Sequence, residues 1–187
     1  MNFFKKLFGK NVSEQDNHEI KTDGETYITT EKGAYVFNKD KEPPYTYSDL
    51  TETEYKHIAA SVAILNDAFA PLLKFDKQPA NHPENLDEYL TVWGSMGFDN
   101  FMDIKPDQHT AFLSYNFGQY LVDTYGMKWQ KKSDGQGTAT VVRLEQPVEI
   151  ELYPIDRTLR AKQNKELAVY VGIEAKLKRA LEQFGQQ

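Results

Sequence analysis

Three aspartates at four-residue steps, Asp99, Asp103 and Asp107, run into His109. Carboxylates and an imidazole this close in sequence are the groups of a general acid–base pair or of a cation loop. The spacing does not match the D-x-[DN]-x-[DN]-G calcium loop, however. Asp107 directly follows Pro106, where a carboxylate complements a helix dipole. Gly94-Ser95-Met96-Gly97 sets its serine one position early for the G-x-S-x-G elbow, and no parallel strand precedes it. Gly135-Gln136-Gly137 lacks the third glycine and the strand–helix setting of a dinucleotide site, so it reads as a hairpin turn. The histidines His18, His57, His82 and His109 lie in four segments, with no helical i, i+4 pair and no H-E-x-x-H. Cysteine is absent, which removes thiolate zinc sites, disulfides and cysteine nucleophiles. No catalytic residue, metal site or cofactor is assigned on these grounds. An enzyme using Asp103, Asp107 and His109 stands as the alternative to a binding protein.

Charge distribution points to surface recognition. The formal net charge of −6 divides unevenly over the 187 residues. Residues 1–10 carry +3 and residues 157–187 carry +4, leaving −13 on residues 11–156. Nucleic-acid binding needs clustered Lys and Arg, so an acidic body excludes it as the main activity. The same charge favours encounter with a basic protein. Two patches supply candidate contacts. Glu149, Glu151 and Tyr153 fall on the wet face of an alternating strand, and Asp99 and Asp103 sit among Phe98 and Phe101 in an acidic–aromatic loop. Acids steer a basic partner and aromatic rings anchor it. Phe98 and Phe101 have a second reading as core residues.

These groups need elements to hold them. Phe3, Phe4, Leu7 and Phe8 follow helical spacing between lysines, giving either a terminal helix or a weak membrane-surface anchor in residues 1–10. No stretch approaches the roughly 18 apolar residues of a membrane span, and the start lacks an apolar signal region. A cytoplasmic location is expected. Residues 11–24 are polar and read as linker, so residues 1–24 form an arm and 25–187 one domain. Thr26–Thr29 and Ala34–Phe37 flank Glu31-Lys32-Gly33 as a hairpin. Thr51 and Glu54 form a capping box that opens a helix with Tyr55, Ile58, Ala59, Val62, Leu65 and Phe69 on its core stripe, ended or kinked by Pro71 just after Ala70. A shorter helix spans Leu86–Ser95 with Asn85 as cap and Leu86, Tyr89, Leu90 and Trp93 as its buried face. A third opens at Pro106, covers its faces with apolar residues, and stops at Gly126. Gly118 in its middle costs about 1 kcal/mol unless another backbone must approach there. Strands follow around Trp129, over Thr138–Leu144, and over Val148–Leu152. Asp156 then caps a basic helical region ending near Phe184, with Leu167, Tyr170, Val171, Leu177, Leu181 and Phe184 as its apolar stripe.

From Phe112 to about Leu159 the chain resembles a small bacterial domain of unknown function, in which a helix with an internal glycine ends in a Tyr-Gly turn. A Trp-bearing strand, a hairpin and a Pro-initiated helix follow there. The residues that carry the likeness are Gly118, Tyr125-Gly126, Trp129, Pro154-Ile155 and Leu159. In general character, small and acidic without cysteine, the chain also resembles immunity proteins of bacterial toxin systems. That likeness implies a non-enzymatic inhibitor of a toxin or other basic protein. The expected fold is α+β, several helices on a small antiparallel sheet with an N-terminal hairpin and arm.

Overall fold

A computed structural model of the chain describes residues 19–22, 25–29, 35–36, 46–99, 104–133 and 137–184. Contacts divide the chain into two compact units, Met1–Pro44 and Tyr45–Gln187. This groups the hairpin with the N-terminal residues, where sequence composition groups it with residues 25–187. In the first unit β1 (Glu19–Thr22), β2 (Glu25–Thr29) and β3 (Tyr35–Val36) form an antiparallel sheet in the order β1-β2-β3. The expected hairpin is β2–β3, with Ile28 opposite Val36 and Thr29 opposite Tyr35. β1 falls inside the expected linker. Its Glu-Ile-Lys-Thr sequence carries one apolar residue, too little for a period-two signal. The stripe of residues 1–10 lies outside the described residues.

The second unit is α+β, five helices with a four-stranded antiparallel sheet. β4 (Thr46–Asp49) leads into α1 (Glu52–Ile64). The capping box is present: Thr51 N–H donates to Glu54 Oε2 at 2.6 Å and Glu54 N–H donates to Thr51 Oγ1 at 3.3 Å. The Thr51 hydroxyl, which also donates to Glu54 Oε2 at 2.7 Å, and the Thr51 N–H pull the Glu54 carboxyl down to about 2. The helix does not stop at Ala70. It passes through a π-helical turn (Leu65–Phe69) into a last turn (Ala70–Leu73), ending at Lys74 in the left-handed region, φ 57°. The wider turn puts Pro71 at the start of a new turn, where its missing N–H does no harm. The buried residues of this stretch are Ile58, Ser61, Leu65 and Phe69, while Tyr55 and Ala59 of the expected stripe are exposed.

α2 (Pro83–Ser95) begins earlier than expected. His82 is its cap, accepting Glu84 N–H on Nδ1 at 3.3 Å. Asn85 instead lies buried inside the first turn and donates to the Lys77 and Ala80 carbonyls. Leu86, Tyr89, Leu90 and Trp93 are fully buried, as their spacing predicts. α3 (Pro106–Tyr125) is the central helix, with Gly126 at φ 67° as its stop. The sheet then follows with β5 (Lys128–Ser133), β6 (Thr138–Leu144) and β7 (Ile150–Leu152), in the order β4-β5-β6-β7. Trp129, Val142 and Leu152 stand opposite one another across β5, β6 and β7, all buried. Gly118 explains itself here. A Cβ at that position would stand 2.1 Å from Cη2 of Trp129, so the glycine lets the indole lie against the helix.

The expected basic helical region is two helices, α4 (Pro154–Asn164) and α5 (Tyr170–Phe184), separated at Lys165 with φ 55°. Tyr153 occupies the cap position of α4 and Asp156 lies in its first turn. Tyr170 and Leu177 are core, whereas Leu167 and Val171 are exposed. A chain of hydroxyls ties α3, α4 and α5 together. Ser114 donates to Thr158 at 2.9 Å, and Thr158 shares a 2.8 Å bond with Tyr170. Two carboxylates fasten α5. Asp87 on α2 accepts the Val169, Tyr170 and Val171 N–H groups at 2.8, 3.0 and 3.0 Å, the orphan donors of a helix start. Glu174 accepts the hydroxyls of Tyr120 and Tyr125 at 2.6 and 2.7 Å.

Candidate functional site

The sheet has two faces with different tasks. Trp129, Val142 and Leu152 turn toward the helices. Residues of the opposite parity, Tyr47, Gln130, Lys132, Val141, Arg143 and Glu151, share the other face by strand alternation. Tyr47 lies on one edge strand and Glu151 on the other, yet Tyr47 Oη donates to Glu151 Oε2 at 2.5 Å. Three strand spacings separate them, about 14 Å of backbone. Both side chains therefore lie flat across the face. Val141 shares this face and is fully buried, as flat-lying side chains would require.

Around that bond the charges interlock. Lys132 Nζ donates to Glu151 Oε1 at 2.7 Å and stands 5.7 Å from the ring centroids of both Tyr47 and Tyr153. The Lys132 and Glu151 side chains are only 16% and 8% exposed. Arg143 stacks on the Tyr47 ring, its Cζ 4.0 Å from the centroid. Its guanidinium reaches Glu149 at 2.8 Å and Glu145 at 3.0 Å. Burial works to lower the Arg143 pKa, but the bond and charge of Glu149, with Tyr47 and Glu145, carry it upward. Gln130 Oε1 is buried and accepts no hydrogen bond among the described residues.

Three of the five residues predicted to contact a partner, Glu149, Glu151 and Tyr153, thus meet on one surface. Their environment differs from the expected acidic edge, because both carboxylates are already held by cations of the same sheet. Residues 128–153 carry four acids and four bases, while residues 45–127 carry twelve acids against four lysines, a formal −8. The acidic excess lies in residues 45–127, mostly on α1 to α3, whereas residues 154–184 carry seven bases against four acids. Tyr47, Lys132 and Arg143 were not visible as site residues in the sequence. β4 has no apolar alternation to mark it, and lysine or arginine on a wet strand looks like a solubilising residue.

The other candidates do not join this surface. Asp99 is exposed, and its carbonyl accepts Trp93 Nε1–H at 2.9 Å. Asp103 and Phe101 lie outside the described residues. Phe98 is core, packed edge-on against Trp93 with centroids 5.1 Å apart. Asp107 is exposed in the first turn of α3, whereas His109 is fully buried, sharing a 2.6 Å hydrogen bond with Tyr89 and packing on Trp93. Asp107 and His109 therefore do not converge. Among the described residues no three His, Cys, Asp or Glu side chains gather as metal ligands, and no helix is long and apolar enough to cross a membrane.

The chain matches no protein-family profile and no curated protein sequence. It is similar in fold to a crystal structure of a protein from Bacteroides thetaiotaomicron VPI-5482, at 13% identity and a TM-score of 0.50. That similarity covers 88% of this chain and 68% of the other. At such low identity the likeness speaks for the fold alone.

Proposed function

We propose that this chain is a non-enzymatic binding protein of the immunity type, covering a toxin or another basic protein partner. The observation that carries the reading is the division of labour in the second unit. Residues 45–127, a formal −8 borne mostly by α1 to α3, supply long-range attraction, and a charge-paired tyrosine face supplies the contact. Glu149, Glu151 and Tyr153 are the contact residues, with Asp99 and Asp103 adding to the steering charge. Tyrosine suits the anchoring role because it brings large contact area at low conformational cost.

The test is binding of the full chain to the product of the gene adjacent to its own, measured by calorimetry at low and high salt. Glu149→Lys with Tyr153→Ala is expected to weaken binding by about 100-fold, two contacts of roughly 1.4 kcal/mol each. The association rate should fall as salt rises, because screening removes the attraction of residues 45–127. Absence of both binding and neutralisation of that gene product sinks the reading.

A further inference from the structure

The Lys132 ammonium sits in a box: one carboxylate oxygen of Glu151 at 2.7 Å, and the rings of Tyr47 and Tyr153 each at 5.7 Å. A carboxylate with two aromatic faces is the arrangement that selects an alkylammonium, since the ring quadrupoles and the anion add over a desolvated cation. We infer that this box is a recognition site for a lysine-type ammonium of the partner, with Lys132 as its internal occupant exchanged on binding.

Two features support exchange. Lys132 itself shows that a primary ammonium fits the space. Its cation is carried on a flexible stem with three rotatable donors, so it can swing to water without moving the strand. Arg143 is not interchangeable with Lys132 in this role, because its guanidinium is committed to Glu145 and Glu149. The exchange replaces one hydrogen-bonded ion pair with Glu151 by another, so no covalent bond is made or broken. The inference rests on the binding reading above and specifies the chemistry of its contact.

The experiment uses the full chain and Nα-acetyl-lysine methylamide as probe, with the norleucine analogue as its neutral isostere. Binding is followed through the ring resonances of Tyr47 and Tyr153. Lys132→Ala and Lys132→Met, the second preserving the stem volume, are expected to bind the lysine probe at least tenfold more tightly than the parent chain. Adding Glu151→Gln should abolish that gain, and the norleucine analogue should show none. Equal lysine binding by parent and both folded variants, or equal binding of the neutral analogue, overturns the inference. The two readings fail separately. A chain that captures its adjacent-gene partner but shows no lysine gain in either variant keeps the binding function and loses the ammonium box. A lysine gain without any partner leaves the box standing and removes the immunity reading.

Discussion

Gly118→Ala offers the sharpest test of how the helical layer is locked to the sheet. In an ordinary helix interior the change stabilises by about 1 kcal/mol, because alanine loses less backbone freedom on folding. Here the new Cβ would stand 2.1 and 2.2 Å from Cη2 and Cζ2 of Trp129, where unstrained carbon contacts lie near 3.5–4.0 Å. The indole or the helix must move by about 1.5 Å to restore contact distance. The indole has little room to do so. It is 3% exposed, its Nε1–H donates to Gln119 at 3.2 Å, and its ring meets Tyr115 edge-on at 6.3 Å. Overpacking of this kind costs about 1–3 kcal/mol, and a shift this large belongs at the upper end. Subtracting the helix gain leaves a net loss of about 2 kcal/mol. With a urea slope near 2 kcal/mol per molar, the midpoint falls by about 1 M, read by far-UV circular dichroism. Trp129→Phe removes the ring atoms concerned, so in that background Gly118→Ala should be neutral or stabilising. A double-mutant cycle then gives a coupling above about 1 kcal/mol. If Gly118→Ala is as stable as the parent while Trp129 is present, the close-approach account of this glycine is wrong.

The two carboxylates that fasten α5 make separate predictions. Burial raises the Glu174 pKa, but the hydroxyls of Tyr120 and Tyr125 and the Lys178 ammonium outweigh it and hold the carboxyl below its ordinary value. A depressed carboxylate pKa adds stability above the unfolded value of about 4.3, and that stability is lost as pH falls through the folded value. Glu174→Gln should therefore cost about 1–3 kcal/mol near neutral pH and flatten the acid side of the Tm-against-pH curve. An unchanged acid slope contradicts this. Asp87→Ala strips three N–H groups of their acceptor and should cost about 2–3 kcal/mol, with faster amide exchange at Val169, Tyr170 and Val171. Protection at those three amides equal to the parent's excludes the capping role.

What the sequence shows and what it hides follow from the range of the forces involved. Helix starts and stops are local, so Thr51 with Glu54, Pro106 and Gly126 were legible residue by residue. The fully buried row Leu86, Tyr89, Leu90 and Trp93 was legible because one helix face meets one core. Tertiary terms hid the rest. Pro71 marked an interruption rather than a stop, because a π-helical turn reset the bonding frame, and such a turn leaves no mark in apolar spacing. Asn85 looked like a cap because asparagine suits that role, but its side chain was needed by the Lys77 and Ala80 carbonyls, leaving His82 to cap. Leu167 and Val171 fit a stripe only while α4 and α5 are taken as one helix. The left-handed residue Lys165 breaks that phase.

The candidate site was legible by half, and the half that was missed changes its meaning. Alternation with apolar neighbours put Glu151 on the wet face of β7, but the strand runs only over Ile150–Leu152, so Glu149 stands just ahead of it. Spacing along one strand carries no information about what the neighbouring strands bring to that face. β6 brings Arg143 beside Glu151, and β5 brings Lys132 opposite Tyr47 on β4. Lys132 from β5 and Arg143 from β6 thereby neutralise the acids that the neighbouring segment displays. A patch read as free negative charge is a set of closed ion pairs over tyrosine rings. Free charge attracts at a distance and is screened by salt, whereas closed pairs act only on contact, through what they exchange. Attraction and recognition are then assigned to different surfaces. Helical-layer substitutions such as Glu84→Lys and Glu88→Lys should lower the association rate, whereas changes at Tyr153 or Glu149 should raise the dissociation rate. Stopped-flow kinetics on the two sets separates these roles. A mainly dissociative effect from the helical set would return the acids to the contact and undo the division.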